Sequence, residues 1–296
     1  MMLAACASAH AGPAPADVDT IADGVYLFRS ATQRSLFLVT DKGVIVTDPI
    51  DARTAPAYRR AIAAITDKPV KFVVYSHYHW DRVSGGRIFK DEGAKFVAQE
   101  QCAERFRVNP NPDVVMPDVT FADKYRISLG GKSLELFYFG PSHGECLTVF
   151  LAEPANVMQI VELVNPPRAS FPDDPTVPYI KPHNLQKFFR AAEDLAARRG
   201  VRQIMASSVR TVDDGQGGRS VSPATGPASV IGDQARFWDA IYKAVGISDA
   251  QGNTGMDSFV RLETIDLEPF KDYDGYEPKA LPVIMRRFVG YYDMGR

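Results

Sequence analysis

Two histidines spaced two apart, His77 and His79, with Asp81 two positions further on, are the residues of this chain best suited to chemistry. They follow the apolar run Val70 to Tyr75 (VKFVVY) and precede Val83-Ser84-Gly85-Gly86. That order reads as a buried strand running into a glycine-rich turn. In an extended chain residues i and i+2 point the same way, so the two imidazoles converge while Asp81 comes round the turn behind them. Two imidazoles and a carboxylate at a strand end are well placed to grip a metal. Three imidazoles around one ion form a common zinc site with an open fourth position. The chain has five histidines, at 10, 77, 79, 143 and 183. His10 lies in an N-terminal leader. His183 stands next to Pro182 ahead of a helix and reads as a capping or surface residue. His143 sits in Gly140-Pro141-Ser142-His143-Gly144 directly after a predicted strand, and the flanking glycines let backbone come close. It is the expected third ligand.

These residues need a frame. Gly24 to Arg29, Ser35 to Thr40 and Val44 to Asp48 read as strands, the last two joined by the Asp41-Lys42-Gly43 turn. Ala52 to Ile65 reads as a helix ending before Asp67-Lys68-Pro69. Further strands are expected at 70–75, 95–98, 127–129, 133–139, 147–151, 157–161 and 201–206, with a short helix over 99–106. Asn184 is expected to cap a helix running to Arg199 and stopping at Gly200. Beyond Ser208 the pattern predicts a Gly/Ser/Pro loop over 213–226, a helix over 228–245 and a final helix over 280–292. The order of elements fits two sheets packed face to face with helices outside, rather than a strictly alternating parallel sheet. No solenoid-type repeat is present.

His-x-His-x-Asp after a strand, then Gly-x-x-His about sixty residues on, resembles the metallo-β-lactamase fold superfamily, over roughly residues 20 to 210. Val46-Thr47-Asp48-Pro49 is similar to the family's strand ending in a structurally important aspartate. The Asp81-Arg82 pair before Val83-Ser84-Gly85-Gly86 resembles the dizinc β-lactamases, whereas most other hydrolases of the superfamily carry a histidine after the aspartate. The resemblance implies an α+β four-layer αβ/βα sandwich, here with a helical C-terminal extension. It divides the chain into a leader (1–19), the main domain (20–210) and the extension (211–296). It also implies a second metal position, built from Asp81, a downstream Asp or Cys and a last histidine in a Gly-His-Gly turn. This chain departs from that pattern. Glu162 stands where the family has Asp or Cys, and Ser207-Ser208-Val209 replaces Gly-His-Gly. A hydroxyl is a poor zinc ligand, and Arg82 brings a fixed positive charge to the same corner. One ion at His77, His79 and His143 is therefore expected, with a second site of Asp81, Glu162 and Ser208 weak or empty. Glu162 is read either as a ligand or as the salt-bridge partner of Arg82. Asp81 is read as a catalytic base, as a ligand, or as the group holding Arg82.

Composition narrows the function classes. The 296 residues are 45% apolar and 24% charged, with net charge −2, which is ordinary globular composition. Nothing in that balance argues for nucleic acid or an anionic membrane, and no run is long enough to span a bilayer. Leu3-Ala4-Ala5-Cys6 reads like a lipobox and Ala9-His10-Ala11 like a signal-peptidase site. A periplasmic location or an outer-membrane lipid anchor at Cys6 is expected, with a cytoplasmic protein as the alternative. Cys102 and Cys146 read as buried thiols rather than as a disulfide framework. The implied activity is zinc-dependent hydrolysis of an acyl bond (lactone, ester, thioester or lactam) in a small molecule, with Asp81 as base. A degenerate metal-binding relative and an iron redox enzyme are the alternatives. The substrate is expected to pass between Ser30–Arg34, Tyr78 and Trp80, and the proline-rich 165–182 stretch with Phe171 and Tyr179.

Overall fold

The computed structural model describes residues 17–171, 181–213, 218–253, 265–281 and 288. Residues 1–16 of the expected leader, with Cys6 and His10, lie outside the described residues, as do Tyr179 and most of the expected final helix; the leader's last residues enter the first strand.

The first sheet contains β1 (Val18–Ala22), β2 (Val25–Arg29), β3 (Arg34–Thr40), β4 (Gly43–Thr47), β5 (Val70–Val74), β6 (Lys95–Gln99) and β7 (Val119–Phe121), in that spatial order. β1 to β4 pair antiparallel, and β4 to β7 pair parallel. Parallel pairing requires crossovers. They are supplied by α1 (Ala55–Ile65), by α2 (Trp80–Val83) with α3 (Arg87–Asp91), and by α4 (Glu100–Val108). The second sheet has the order β15-β12-β11-β10-β9-β8. Its strands are β8 (Lys124–Leu129), β9 (Lys132–Tyr138), β10 (Thr148–Glu153), β11 (Val157–Gln159), β12 (Gln203–Met205) and β15 (Thr225–Pro227). α5 (Pro182–Arg199) joins β11 to β12, the hairpin of β13 (Thr211–Asp213) and β14 (Arg219–Val221) follows β12, and α6 (Val230–Ala250) follows β15.

Alternation along the strands builds the layers. On β3, Leu36 and Leu38 join the central apolar cluster with Leu134 and Leu136 of β9. Phe37 between them points the other way, into a second cluster with Tyr58 of α1 and Phe89 of α3. Tyr58 stacks on Phe28 at 4.6 Å, and its hydroxyl donates to Leu36 O at 2.9 Å. Burying such a side chain contributes roughly 1.5–3 kcal/mol. Glu135, between Leu134 and Leu136, turns outward to pair with Arg199 at the end of α5. α5 and α6 therefore cover the outer face of the second sheet, and the expected four-layer αβ/βα sandwich is the fold. The second sheet takes its edge strand β15 from beyond residue 210.

Several local expectations are corrected. The expected glycine turn is present, with Gly85 at φ 79°, but a helical turn the pattern did not predict, Trp80 to Val83, stands before it; Arg82 and Val83 N–H groups both bond to His79 O, at 3.0 and 3.2 Å, and Asp81 lies in the first turn where the helix dipole favours an acid. α5 begins at Pro182 with Lys181 as its N-cap, so neither Asn184 nor His183 caps it. Proline at the first helical position loses no hydrogen bond there. Gly200 does end it, at φ 64°. The 213–226 loop contains strand pairs, and β1 and β7 are short edge strands with too few apolar residues to announce themselves.

The cysteines are the clearest correction. Cys102 of α4 and Cys146 form a disulfide, with Cα atoms 5.4 Å apart. Their separation of 44 residues carries no local spacing signal; only the packing of α4 beside the β9–β10 loop brings them together. The chain-entropy relation gives about 4 kcal/mol for closing a loop of that length. Replacing both cysteines by alanine is expected to lower unfolding stability by up to about 4 kcal/mol. Denaturant titration of the two proteins checks this, and an unchanged midpoint contradicts it.

Candidate metal centre

β5 delivers the site. After it, Tyr75 N–H bonds to Val97 O at 3.0 Å and Ser76 N–H bonds to Asp48 Oδ1 at 2.8 Å. Asp48 is buried in the turn after β4, in the left-handed region at φ 35°. Burial pushes its carboxyl up to about 6, against the pull of the Ser76 hydrogen bonds and of Arg82. Ser76 in turn sets His77, its Oγ lying 2.8 Å from His77 Nδ1. In the tautomer that donates from Nδ1 to Ser76 Oγ, Nε2 carries the lone pair. That Nε2 is buried and has no hydrogen-bond partner. A buried polar atom left so costs free energy unless a ligand satisfies it. Burial, together with the nearby His143, His79 and Arg82, holds His77 well below its ordinary pKa. It is therefore neutral at neutral pH, the form that binds a metal.

His79 stands at the N-cap of α2. His143 is buried on the β9–β10 loop, where Gly144 adopts φ 79° and a Cβ there would lie 2.7 Å from the Tyr78 ring. Only glycine lets Tyr78 and the His143 loop close together. His143 Nε2 lies 3.2 Å from His79 Nδ1. Zinc–nitrogen bonds of 2.0–2.1 Å in a tetrahedron place ligand nitrogens about 3.3 Å apart, so this spacing suits a shared ion. One ligand atom from each of the three histidines falls within 4.8 Å of the others. Their rings stand edge to face, with centroids 4.6, 5.2 and 4.8 Å apart. The donor set, its spacing and the orphaned nitrogen all fit a divalent cation such as zinc.

Asp81 and Glu162 join no metal-spaced group among the described residues. Asp81 is exposed and accepts from Gln33 Nε2 at 2.9 Å through Oδ2. Glu162, at φ 68° just after β11, is paired with Arg82. Arg82 Nε and Nη2 reach Glu162 Oε1 at 2.7 and 2.6 Å. Arg82 Nη1 donates to Ser207 O at 3.0 Å, and the side chain is 1% exposed. Of the two readings of Glu162, the structure displays the ion pair. Ser208 is held through its backbone: its N–H bonds to Asn165 Oδ1 at 3.1 Å and its carbonyl accepts from Arg34 Nη1 at 2.5 Å. Arg34, Gln33, Asn165 and Ser76 were not singled out by sequence reading. Arg34 alone carried a signal, as a charged residue opening an otherwise uncharged buried strand.

The model of the metallo-beta-lactamase superfamily matches residues 30–159, which include all three histidines. Over those residues, just under half of its length, the chain is similar to the metallo-beta-lactamase superfamily. Over 135 residues it is 31% identical to the 2,4-dinitroanisole O-demethylase subunit alpha of Nocardioides sp. (strain JS1661); the match covers 45% of this chain and 39% of that protein's length. Among solved structures, a metallo-beta-lactamase from Pontibacter korlensis aligns with TM-score 0.61 and 19% identity, over 75% of this chain and 98% of that one. A stereoselective inverting sec-alkylsulfatase from Pseudomonas sp. aligns with TM-score 0.69 and 14% identity, over 94% of this chain and 51% of its own length. These two show the shared fold. The similarity to the superfamily and the three-histidine cluster together point to a metal-dependent hydrolase.

Burial alone would raise the pKa of Glu162, but the charge of Arg82, the nearby His143 and His79 and the Arg82 hydrogen bonds hold it below its ordinary value of 4.5. A depressed carboxyl contributes stability that is complete above the unfolded-state pKa and is lost as pH falls through the folded-state value. Glu162→Gln, which leaves a buried guanidinium without its counter-charge, is expected to cost about 3 kcal/mol at neutral pH. That deficit should narrow as the medium is acidified below the ordinary glutamate value. Stability curves of both proteins against pH test this, and a pH-independent difference contradicts it.

Proposed function

We propose that the chain is a single-zinc hydrolase that adds water to an acyl bond of a small molecule. The observation that carries this reading is the convergence of three imidazoles, one of them with a buried, unsatisfied Nε2. When bound to three histidines, zinc lowers the pKa of its water toward 7 and polarises a substrate carbonyl. Asp81, two residues after His79, is the proton acceptor. Gln33 occupies its Oδ2, which leaves Oδ1 to take the proton and later return it to the leaving group. The Arg82–Glu162 pair fills the corner beside the histidines with a cation already neutralised, which supports one ion rather than two. Ser208 replaces the histidine that would help to hold the second.

Trp80 is 44% exposed directly after His79, and Tyr78 is half-buried directly before it. These rings support an apolar or aromatic acyl substrate. The identity with the O-demethylase subunit favours a second substrate class, aryl methyl ethers, for the same metal site. The Cys102–Cys146 disulfide supports an oxidising compartment, and with the Cys6 motif it supports export to the periplasm with a lipid anchor there.

Metal analysis of protein purified without chelator is expected to find about one zinc per chain, as three-histidine sites bind. His77→Ala and His143→Ala should abolish both the zinc and turnover on a panel of esters, lactones, thioesters, lactams and aryl methyl ethers. Full turnover by metal-free protein would sink the reading, and one equivalent of iron with oxygen uptake would replace it by redox chemistry. Asp81→Asn is expected to keep its zinc while kcat falls roughly 10²–10⁴-fold. A wild-type rate in that variant removes Asp81 as the base.

A further inference from the structure

We infer that the Cys102–Cys146 disulfide clamps the metal centre, so that zinc affinity depends on the oxidation state of this cysteine pair. The inference rests on the three-histidine reading of the site. His77 and His79 come off the first sheet, directly after β5. His143 comes from the loop between Tyr138, the last residue of β9, and Thr148, the first of β10, in the second sheet. A shared ion therefore needs that loop held against the first-sheet side. The loop resists being fixed, because Gly140 and Gly144 both take left-handed backbone, at φ 97° and 79°.

Several ties hold it. Tyr138 Oη donates to Glu145 O at 2.6 Å, a contact within the loop's own hairpin. Arg105 of α4 pairs with Glu145, and Cys102 of α4 is bonded to Cys146. α4 packs on β6 and β7, so both α4 ties join the His143 loop to the first sheet, beside the hydrogen bond from Thr148 N–H to Ser76 O at 2.7 Å that fastens the end of the loop to the residue before His77. The Arg105–Glu145 pair is 45% and 39% exposed, and ion pairs so placed contribute little. The disulfide, three residues from His143, is a covalent link between the two halves of the ligand set.

Both cysteines are fully buried, so a reductant reaches the bond only when the loop opens. An ion shared by His143, His77 and His79 opposes the same opening. Coupling between two such events is reciprocal: the disulfide strengthens zinc binding, and zinc protects the disulfide. The reduction itself is ordinary. A trialkylphosphine attacks one sulfur and the Sγ–Sγ bond breaks; water supplies two protons to the cysteines and its oxygen to the phosphine, which leaves as the phosphine oxide.

The test measures zinc affinity by competition with a chromophoric chelator, on oxidised wild-type protein and on Cys102→Ser/Cys146→Ser. It also measures the rate of thiol release by phosphine, with and without saturating zinc. Affinity in the variant is expected to fall roughly 10- to 100-fold, the range for losing a group that orients a ligand. Thiol release is expected to slow when zinc is bound. Equal affinity of a folded variant and the oxidised wild type overturns the clamp and leaves the metal reading intact. Absence of zinc binding by the oxidised wild type overturns both. If the variant does not fold, the thiol-release rates of the wild type decide, and equal rates with and without zinc overturn the clamp.

Discussion

One buried guanidinium joins the two sheets at the edge where the histidines meet. Arg82 leaves α2 on the first-sheet side and bonds to Glu162 after β11 and to Ser207 O after β12, both on the second-sheet side. A charge that is 1% exposed is stable there only because each of these partners is in place. Arg34, at the start of β3, repeats the device, binding Ser208 O and Ser222 O at 2.5 Å each. The loops after β11 and β12 are thus gathered by two arginines. With them fixed, the ends of β5, β9, β11 and β12 stay close enough for side chains from separate sheets to share a site.

The same cation shapes the electrostatics. Burial does most to keep His77 neutral, and the nearby charges of His143, His79 and Arg82 add to it. Arg82 also holds Glu162 ionised against the cost of its own burial. The corner is thus already neutralised, and another divalent cation would find its counter-charge spent. Asp48 stands further back, pushed up to about 6 by burial and retained for its hydrogen bond to Ser76. It acts on the site through Ser76, which orients the His77 ring. A chain of hydrogen bonds thus runs from the turn after β4 to the His77 ring.

Much of the frame was legible in the sequence. β2 to β6 and β9 to β11 announce themselves by apolar or alternating runs bounded by turn residues, because a strand buried on one or both faces must carry them. Gly200 marks the end of α5, because the left-handed residue there costs glycine least. What stayed hidden is what depends on long-range packing. β1, β7 and β13 to β15 are short, and pairing to neighbours makes them strands. Asn184 looks like a cap, yet Pro182 can open the helix two residues earlier because its missing N–H is not needed there.

The histidines were readable because imidazole is a favoured zinc donor and only four of the five histidines lie outside the leader. The family resemblance marked the paired Asp81-Arg82 and the departure at Ser208. Tertiary structure alone decided which groups meet. It paired Glu162 with Arg82 instead of leaving it to a metal, gave Ser76 the task of orienting His77, and joined Cys102 to Cys146 across 44 residues. The physical reason is that local sequence sets backbone preference and which face is apolar, whereas a buried charge or thiol takes its partner from whatever the packed sheets bring within a few ångströms.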